Sequence, residues 1–148
     1  MGNPNAQEAF GDLMRDHIAP GLRRLGFKGS GRIFQIPDEE RWVLLGIQRS
    51  LRSDAREIRF TINVAMVGRS AWEAARREHP YLPERPSPNV RYGDFVWSKR
   101  VGTLMPAGND HWWRMTPETD LAKLGRDVVT TVSEHVLPPI KHEISTDL

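Results

Sequence analysis

Two long apolar segments joined by a short polar link constrain this chain more than any other feature. "RWVLLGIQRS", Arg41 to Ser50, is apolar on both faces, as a central strand covered twice would be. "EIRFTINVAMV", Glu57 to Val67, is half polar. Ile58, Phe60, Ile62 and Val64 share one face, and Arg59, Thr61 and Asn63 share the other. Neighbouring strands with a short connection pair antiparallel, so these two form the middle of an antiparallel sheet.

The flanking segments fill in the architecture. Phe10, Leu13, Met14, Ile18, Leu22 and Leu25 recur at helical spacing, with Asn5 and Glu8 as a capping box. Pro20–Gly21 is expected to kink or split that helix, and Gly26 to end it. "RIFQI", Arg32 to Ile36, reads as a strand, and the turn Pro37 to Glu40 makes a hairpin with the next. Ser70 and Glu73 form a second capping box, opening a helix that Pro80 ends. Pro80, Pro83, Pro86 and Pro88 mark a long surface loop, either functional or mobile. "DFVWSKRVGTLM" and "HWWRM" read as two further short strands. Thr116 then caps a last helix with Pro117 at its first position, an apolar face of Leu121, Leu124, Val128, Val132 and Val136, and a stop at Pro138–Pro139. The expectation is a single α+β domain over 1–148, an antiparallel sheet of four to five strands with helices gathered on one side.

Bulk properties narrow the function. With 39% hydrophobic and 27% charged residues the chain is globular, and 148 residues suffice for one core. No apolar run approaches the roughly 18 residues of a membrane span. The start "MGNPNAQEAFGDLM" lacks a secretory pattern, and Ala6 stands where myristoylation needs Ser or Thr. A cytoplasmic protein is expected. The chain has no cysteine, which excludes disulfides and thiolate chemistry. Net charge is +2, and basic residues alternate with acids as in "RSLRSDAREIR", unlike the one-signed stripe of a tight nucleic-acid binder.

Catalytic and metal signals are weak. His17, His79, His111, His135 and His142 never stand at HxH or HxxxH spacing, so neither metal nor cofactor is expected. There is no GxSxG. "GFKGSGRIF" leads from helix to strand, the reverse of a dinucleotide fingerprint, and reads as a tight connection. Asp38, Glu39 and Glu40 belong to a solvated turn, whereas Asp94 and Asp110 stand at strand ends. What stands out is a polar row on an apolar sheet: Gln48, Thr61 and Asn63, continued by Arg59, with Arg49 or Ser50 at its edge. Polar groups beside a core must be hydrogen-bonded. Either these pair with one another as structure, or they line a cleft that meets a ligand.

"GFKGSGRIF", "IQRS", "FTINVAM", "RVGTLMPAGNDHWW" and a helix ending in "LPP" together resemble the bacterial family called domain of unknown function 4304. The resemblance runs from about Phe10 to Pro138 and rests on Gly26, Phe27, Gly31, Phe34, Gln48, Ser50, Phe60, Thr61, Asn63, Arg100, Gly102, Trp112 and Trp113. It implies a shared α+β fold, and by analogy with small bacterial families a toxin-neutralising, immunity-protein-like binding role. The stretch Pro80 to Pro88 departs from the pattern, so any contact made there is particular to this chain.

Gln48, Arg59, Thr61, Asn63, Arg100 and Trp112 are therefore the candidate binding residues, and no catalytic residue is assigned. Amides and hydroxyls recognise well and transfer protons poorly, and arginine is fixed as a cation. One reading is a non-catalytic module for a toxin-like protein partner, using exposed Trp and Arg. The alternative is an enzyme or binder of an anionic ligand, nucleotide or nucleic acid, with Arg100, Arg59 and Arg49 on phosphate and a tryptophan on a base. A flat acidic or apolar patch favours the first, and a basic, tryptophan-walled cleft the second. Parity in "HWWRM" sends Trp113 with Met115 into the core under the last helix, and Trp112 with Arg114 to the other face.

Overall fold

A hairpin of β1 (Lys28–Ser30) and β2 (Ile33–Gln35) opens an antiparallel sheet that continues through β3 (Arg41–Arg49) and β4 (Ile58–Gly68) in a computed structural model describing residues 5–146. β5 (Trp97–Arg100) and β6 (Trp113–Met115) share the far side of β4, β6 against its first residues and β5 further along. The chain is α+β, and every strand pairing is antiparallel. The Met1–Gly2 start discussed above lies outside the described residues.

β3 and β4 pair as their length and pattern require, with Leu45 opposite Val64 and Ile47 opposite Ile62. One face of the pair buries Val43, Leu45, Ile47, Ile58, Phe60, Ile62 and Val64. Helices α1 (Ala6–Leu13), α2 (Ala19–Arg24), α5 (Leu121–Thr131) and α6 (Leu137–Thr146), with the turns that join them, pack there through Phe10, Leu13, Ile18, Leu22, Val128, Val132, Val136 and Ile140.

Both proline sites expected to interrupt helices, Pro20 and Pro138–Pro139, are bridged by the same device. Met14–Ile18 and Val132–Val136 are wide π turns, in which Ala19 donates to the Met14 carbonyl and Leu137 to the Val132 carbonyl. Each lies just ahead of a proline, Pro20 in one case and Pro138–Pro139 in the other. A proline ring collides with the carbonyl four residues back and offers no N–H, and a five-residue turn relieves both problems. The last helical path therefore runs through Pro138–Pro139 to Thr146 instead of stopping.

Other expectations are corrected. The glycine-rich connection contains a strand, β1, so the sheet has six strands rather than four to five. The Asn5 side chain does accept from the Glu8 N–H at 2.9 Å. The second capping box does not form: α3 (Arg69–Glu78) has Gly68 at its N-cap with no side-chain bond, and Glu73 pairs instead with Arg76. Asp120, not Thr116, caps α5, accepting from the Lys123 N–H, so Pro117 precedes the helix. Only Trp97–Arg100 of "DFVWSKRVGTLM" is strand, and Val101–Leu104 is a helical turn, α4. Leu124 is half-buried rather than buried.

Nor do all the helices gather on one side. α3 lies across the second sheet face, where its fully buried Trp72 packs with Ala65, Val67 and Val96. The proline-rich loop continues this cover. Trp72 donates its indole N–H to the carbonyls of Pro83 and Glu84 at 3.1 and 3.2 Å, and the Tyr92 hydroxyl accepts from the Ser87 N–H. Pro86 and Pro88 are buried, so the loop is a packed lid over half the face. The other half is left polar.

Candidate functional site

β3 and β4 bring Gln48 and Thr61 opposite one another, and β5 sets Arg100 opposite Asn63. Gln48, Asn63 and Arg100 thus belong to one connected network. Asn63 donates to Gln48 Oε1 at 2.7 Å and to Asn89 Oδ1 at 2.9 Å, and accepts from Arg100 Nε at 3.3 Å. Arg100 also bonds Asp110 at 3.2 Å, and Asp110 accepts the Trp112 indole N–H at 2.8 Å. The Arg100 guanidinium lies 5.3 Å from the Trp112 ring centre. Thr61 differs from its neighbours: it is fully buried, and its hydroxyl donates to the His111 carbonyl at 2.6 Å, tethering the segment that leads into β6.

Two glycines let other chain segments reach this network. A Cβ on Gly46 would collide with the Asn89 side chain and lie 2.7 Å from the Pro88 ring. Gly46 therefore seats the end of the proline-rich loop flat on β3. A Cβ on Gly102 would collide with the Asn109 carbonyl oxygen, so that glycine lets the 105–111 loop fold back and deliver Asp110.

The adjacent tryptophans separate as parity requires. Trp113 is buried, stacks on Phe60 at 5.5 Å, and donates to Asp127 of α5 at 2.8 Å. His111 packs edge-on against it at 4.6 Å. Trp112 is half-buried on the opposite face and walls a cleft of about 310 Å³ with Ser50, Arg52, Arg59 and Arg114. Arg59 and Arg114 share one carboxylate, Glu57, each at 2.6 Å. Bonds from Arg114 first and Arg59 second pull the Glu57 carboxyl down to about 2, from an ordinary 4.5. It is a fixed anion and a poor base. No acidic partner within the described residues takes the Arg52 side chain, so this cleft carries excess positive charge.

A second cleft, about 360 Å³, is lined by Gln48, Asn63, Asn89, Arg91, Lys99 and Arg100 among others, and its Arg100 is the residue that reaches the Trp112 ring of the first. The interleaved charges of the sequence are therefore sorted by folding. Arg52, Arg59 and Arg114 line the Trp112 cleft and Arg91 and Arg100 the second, with Glu57 paired to Arg59 and Arg114 and Asp110 to Arg100, while Lys99, opposite Val64 in the register, leaves from the helical face.

Of the candidate residues, Gln48, Asn63, Arg100 and Trp112 come together, Arg59 stands at the neighbouring cleft, and Thr61 lies beneath. Arg49 does not join them. It follows Gln48 by one residue, so it projects to the helical face, where its guanidinium lies 5.9 Å from the Phe10 ring. Arg52, Asn89 and Glu57 were not singled out in the sequence. Asn89 comes from a loop with no periodicity, and Glu57 is marked only by its place two residues before Arg59. Among the described residues no three His, Asp or Glu side chains gather as metal ligands, and no helix is long and apolar enough to cross a membrane.

Fold and site together describe an α+β domain with one helical face and one divided face, half lidded and half polar and cationic. Residues 18–142 match the family described as a domain of unknown function, DUF4304, and the chain belongs to that family. No curated protein and no solved structure matches it.

Proposed function

We propose that this chain is a non-catalytic binding domain and that its Trp112 face takes an anionic ligand with a planar group, a nucleotide or single-stranded nucleic acid. One observation carries the reading: five arginines, Arg52, Arg59, Arg91, Arg100 and Arg114, line the two clefts about a half-buried indole, against two carboxylates. Guanidiniums hold phosphate as forked donors, and an indole offers a stacking surface that tolerates any base. This is the basic, tryptophan-walled cleft that separates the alternatives, so the anionic ligand is preferred to a flat protein patch. The inventory also argues for binding over catalysis, since Glu57 is held ionised and arginine does not act as a base.

Recognition of an acidic, toxin-like protein partner is the second reading. Leu51 is fully exposed at the tip of the β3–β4 connection beside Arg52, and Trp112 with Arg52, Arg59 and Arg114 supplies the residue types that dominate interface centres. Titration of intrinsic tryptophan fluorescence with oligothymidylate and, in parallel, polyglutamate tests both. Saturable quenching by the oligonucleotide that Trp112→Ala abolishes supports the preferred reading. Binding of polyglutamate alone supports the second, and no response to either polymer contradicts both.

A further inference from the structure

On the other side of the sheet, the first helix and the β1–β2 hairpin enclose a groove of about 440 Å³ that has no part in the network above. Its floor is apolar, formed by the small accessible edges of Phe10, Met14 and Ala19, which are otherwise buried in the core, and Phe10 is held in place by edge-on packing against Phe60 at 5.4 Å. Arg32 and Arg49 stand over this floor, their guanidinium carbons 5.6 and 5.9 Å from the Phe10 ring centre. The other rim cations are occupied: Arg15 pairs with Asp12 and Asp16, and Arg23 donates to the Gly29 carbonyl. Arg49 donates to the Gln7 side-chain oxygen, a neutral acceptor. Among the described residues neither Arg32 nor Arg49 has a carboxylate partner.

Two like charges held over one ring without a counter-ion repel each other, and a bound anion would remove that repulsion. Desolvation of the guanidinium against the groove and the neighbouring Arg49 charge both lower the Arg32 pKa from its ordinary value, consistent with an uncompensated pair. The apolar floor adds a requirement that a bare phosphate or acetate does not meet. Pockets of this size suit small organic ligands whose apolar body is buried while a few polar groups fix orientation.

We infer that the Phe10 groove is a second, independent binding site, taking a small organic monoanion whose apolar body lies on Phe10 and Met14 and whose carboxylate bridges Arg32 and Arg49. Phe10 and Met14 precede the range matched to the family, whereas Ala19, Arg32 and Arg49 lie within it.

Octanoate, below its micellar range, is the probe, with acetate and octanol as controls at equal ionic strength. Binding is followed by backbone amide NMR shifts and by calorimetry on the full chain. Saturable octanoate binding is expected, with shifts at Phe10, Gly31 and Arg32, while acetate gives none and octanol binds at least tenfold more weakly. Arg32→Gln and Arg49→Gln should each weaken octanoate about tenfold or more, as loss of a charge-assisted contact does. Trp112→Ala should leave it unchanged, which separates failure of this site from failure of the Trp112 reading. Arg32 is exposed and makes only the ring contact, so Arg32→Gln keeps the fold and decides the matter if Arg49→Gln does not. No saturable octanoate binding, equal binding of octanol or acetate, or an unchanged affinity in Arg32→Gln overturns the proposal.

Discussion

Trp112 and Trp113 are neighbours in the chain, yet their indole N–H groups end on aspartates of opposite sheet faces: Asp110 at 2.8 Å for Trp112, and Asp127 at 2.8 Å for Trp113. The two rings therefore carry different consequences when removed. Trp113→Ala opens a cavity against Phe60 and strands Asp127, and should cost about 3–5 kcal/mol. Trp112→Ala removes a half-buried ring and should stay within about 1 kcal/mol of wild type. Urea unfolding of the two variants checks this. Equal large losses would make both rings structural, and a loss confined to Trp112→Ala would reverse the faces.

Phe60→Ala should be among the most damaging single changes. Phe60 is fully buried and touches both Phe10 and Trp113, so its loss should cost about 3–5 kcal/mol. Leu124→Ala, at a half-buried position, should cost only about 1–2 kcal/mol. Denaturant midpoints rank the pair, and equal losses would contradict the observed burial.

Gly46→Ala tests the seating of the proline-rich loop. The new methyl collides with Asn89 and Pro88, which should detach the loop at a cost of about 1–3 kcal/mol. Amide shifts at Asn63, Asn89 and Arg100 should move while those of the helical face hold. Unchanged shifts at Asn89 would show that the contact is not tight.

The Glu57 bridge predicts a direction with pH. Its carboxyl holds a proton less tightly folded than unfolded, so the stability it confers is complete above about 4.5 and declines as pH falls through about 2. Carbon-detected NMR should place the Glu57 midpoint near 2 in wild type and higher in Arg114→Ala. A midpoint near 4.5 in wild type would show that the bridge does not form in solution.

Legibility of the sequence followed the range of the interactions. The pairing of β3 with β4, the helical stripe of α1 and the opposed tryptophans all follow from local period, because side-chain direction alternates or rotates regularly along each element. β1 was hidden because Lys28, Gly29 and Ser30 are all exposed and carry no apolar alternation. The side on which α3 packs depends on Trp72 meeting Ala65 and Val67 across the sheet, a tertiary choice that its own periodicity does not encode. The site was half legible. Parity placed Gln48, Thr61 and Asn63 on one face, and the same parity, applied to Arg49, would have sent it to the other. Asn89 and Asp110 arrive from loops at sequence separations of 26 and 10 residues from their partners Asn63 and Arg100; a strand-end position marks Asp110, but no local pattern gives either residue its partner.

The most direct test of the Trp112 face is equilibrium binding of a fluorescein-labelled oligothymidylate to wild type and to the Arg52→Ala/Arg114→Ala double variant, at about 50 and 200 mM salt. Wild type should bind at the lower salt and weaken steeply at the higher, as release of counterions from several phosphates requires. The double variant should bind about tenfold or more weakly, with a shallower salt dependence. Absence of binding by wild type at low salt, or equal affinity and slope in the two proteins, would contradict the account.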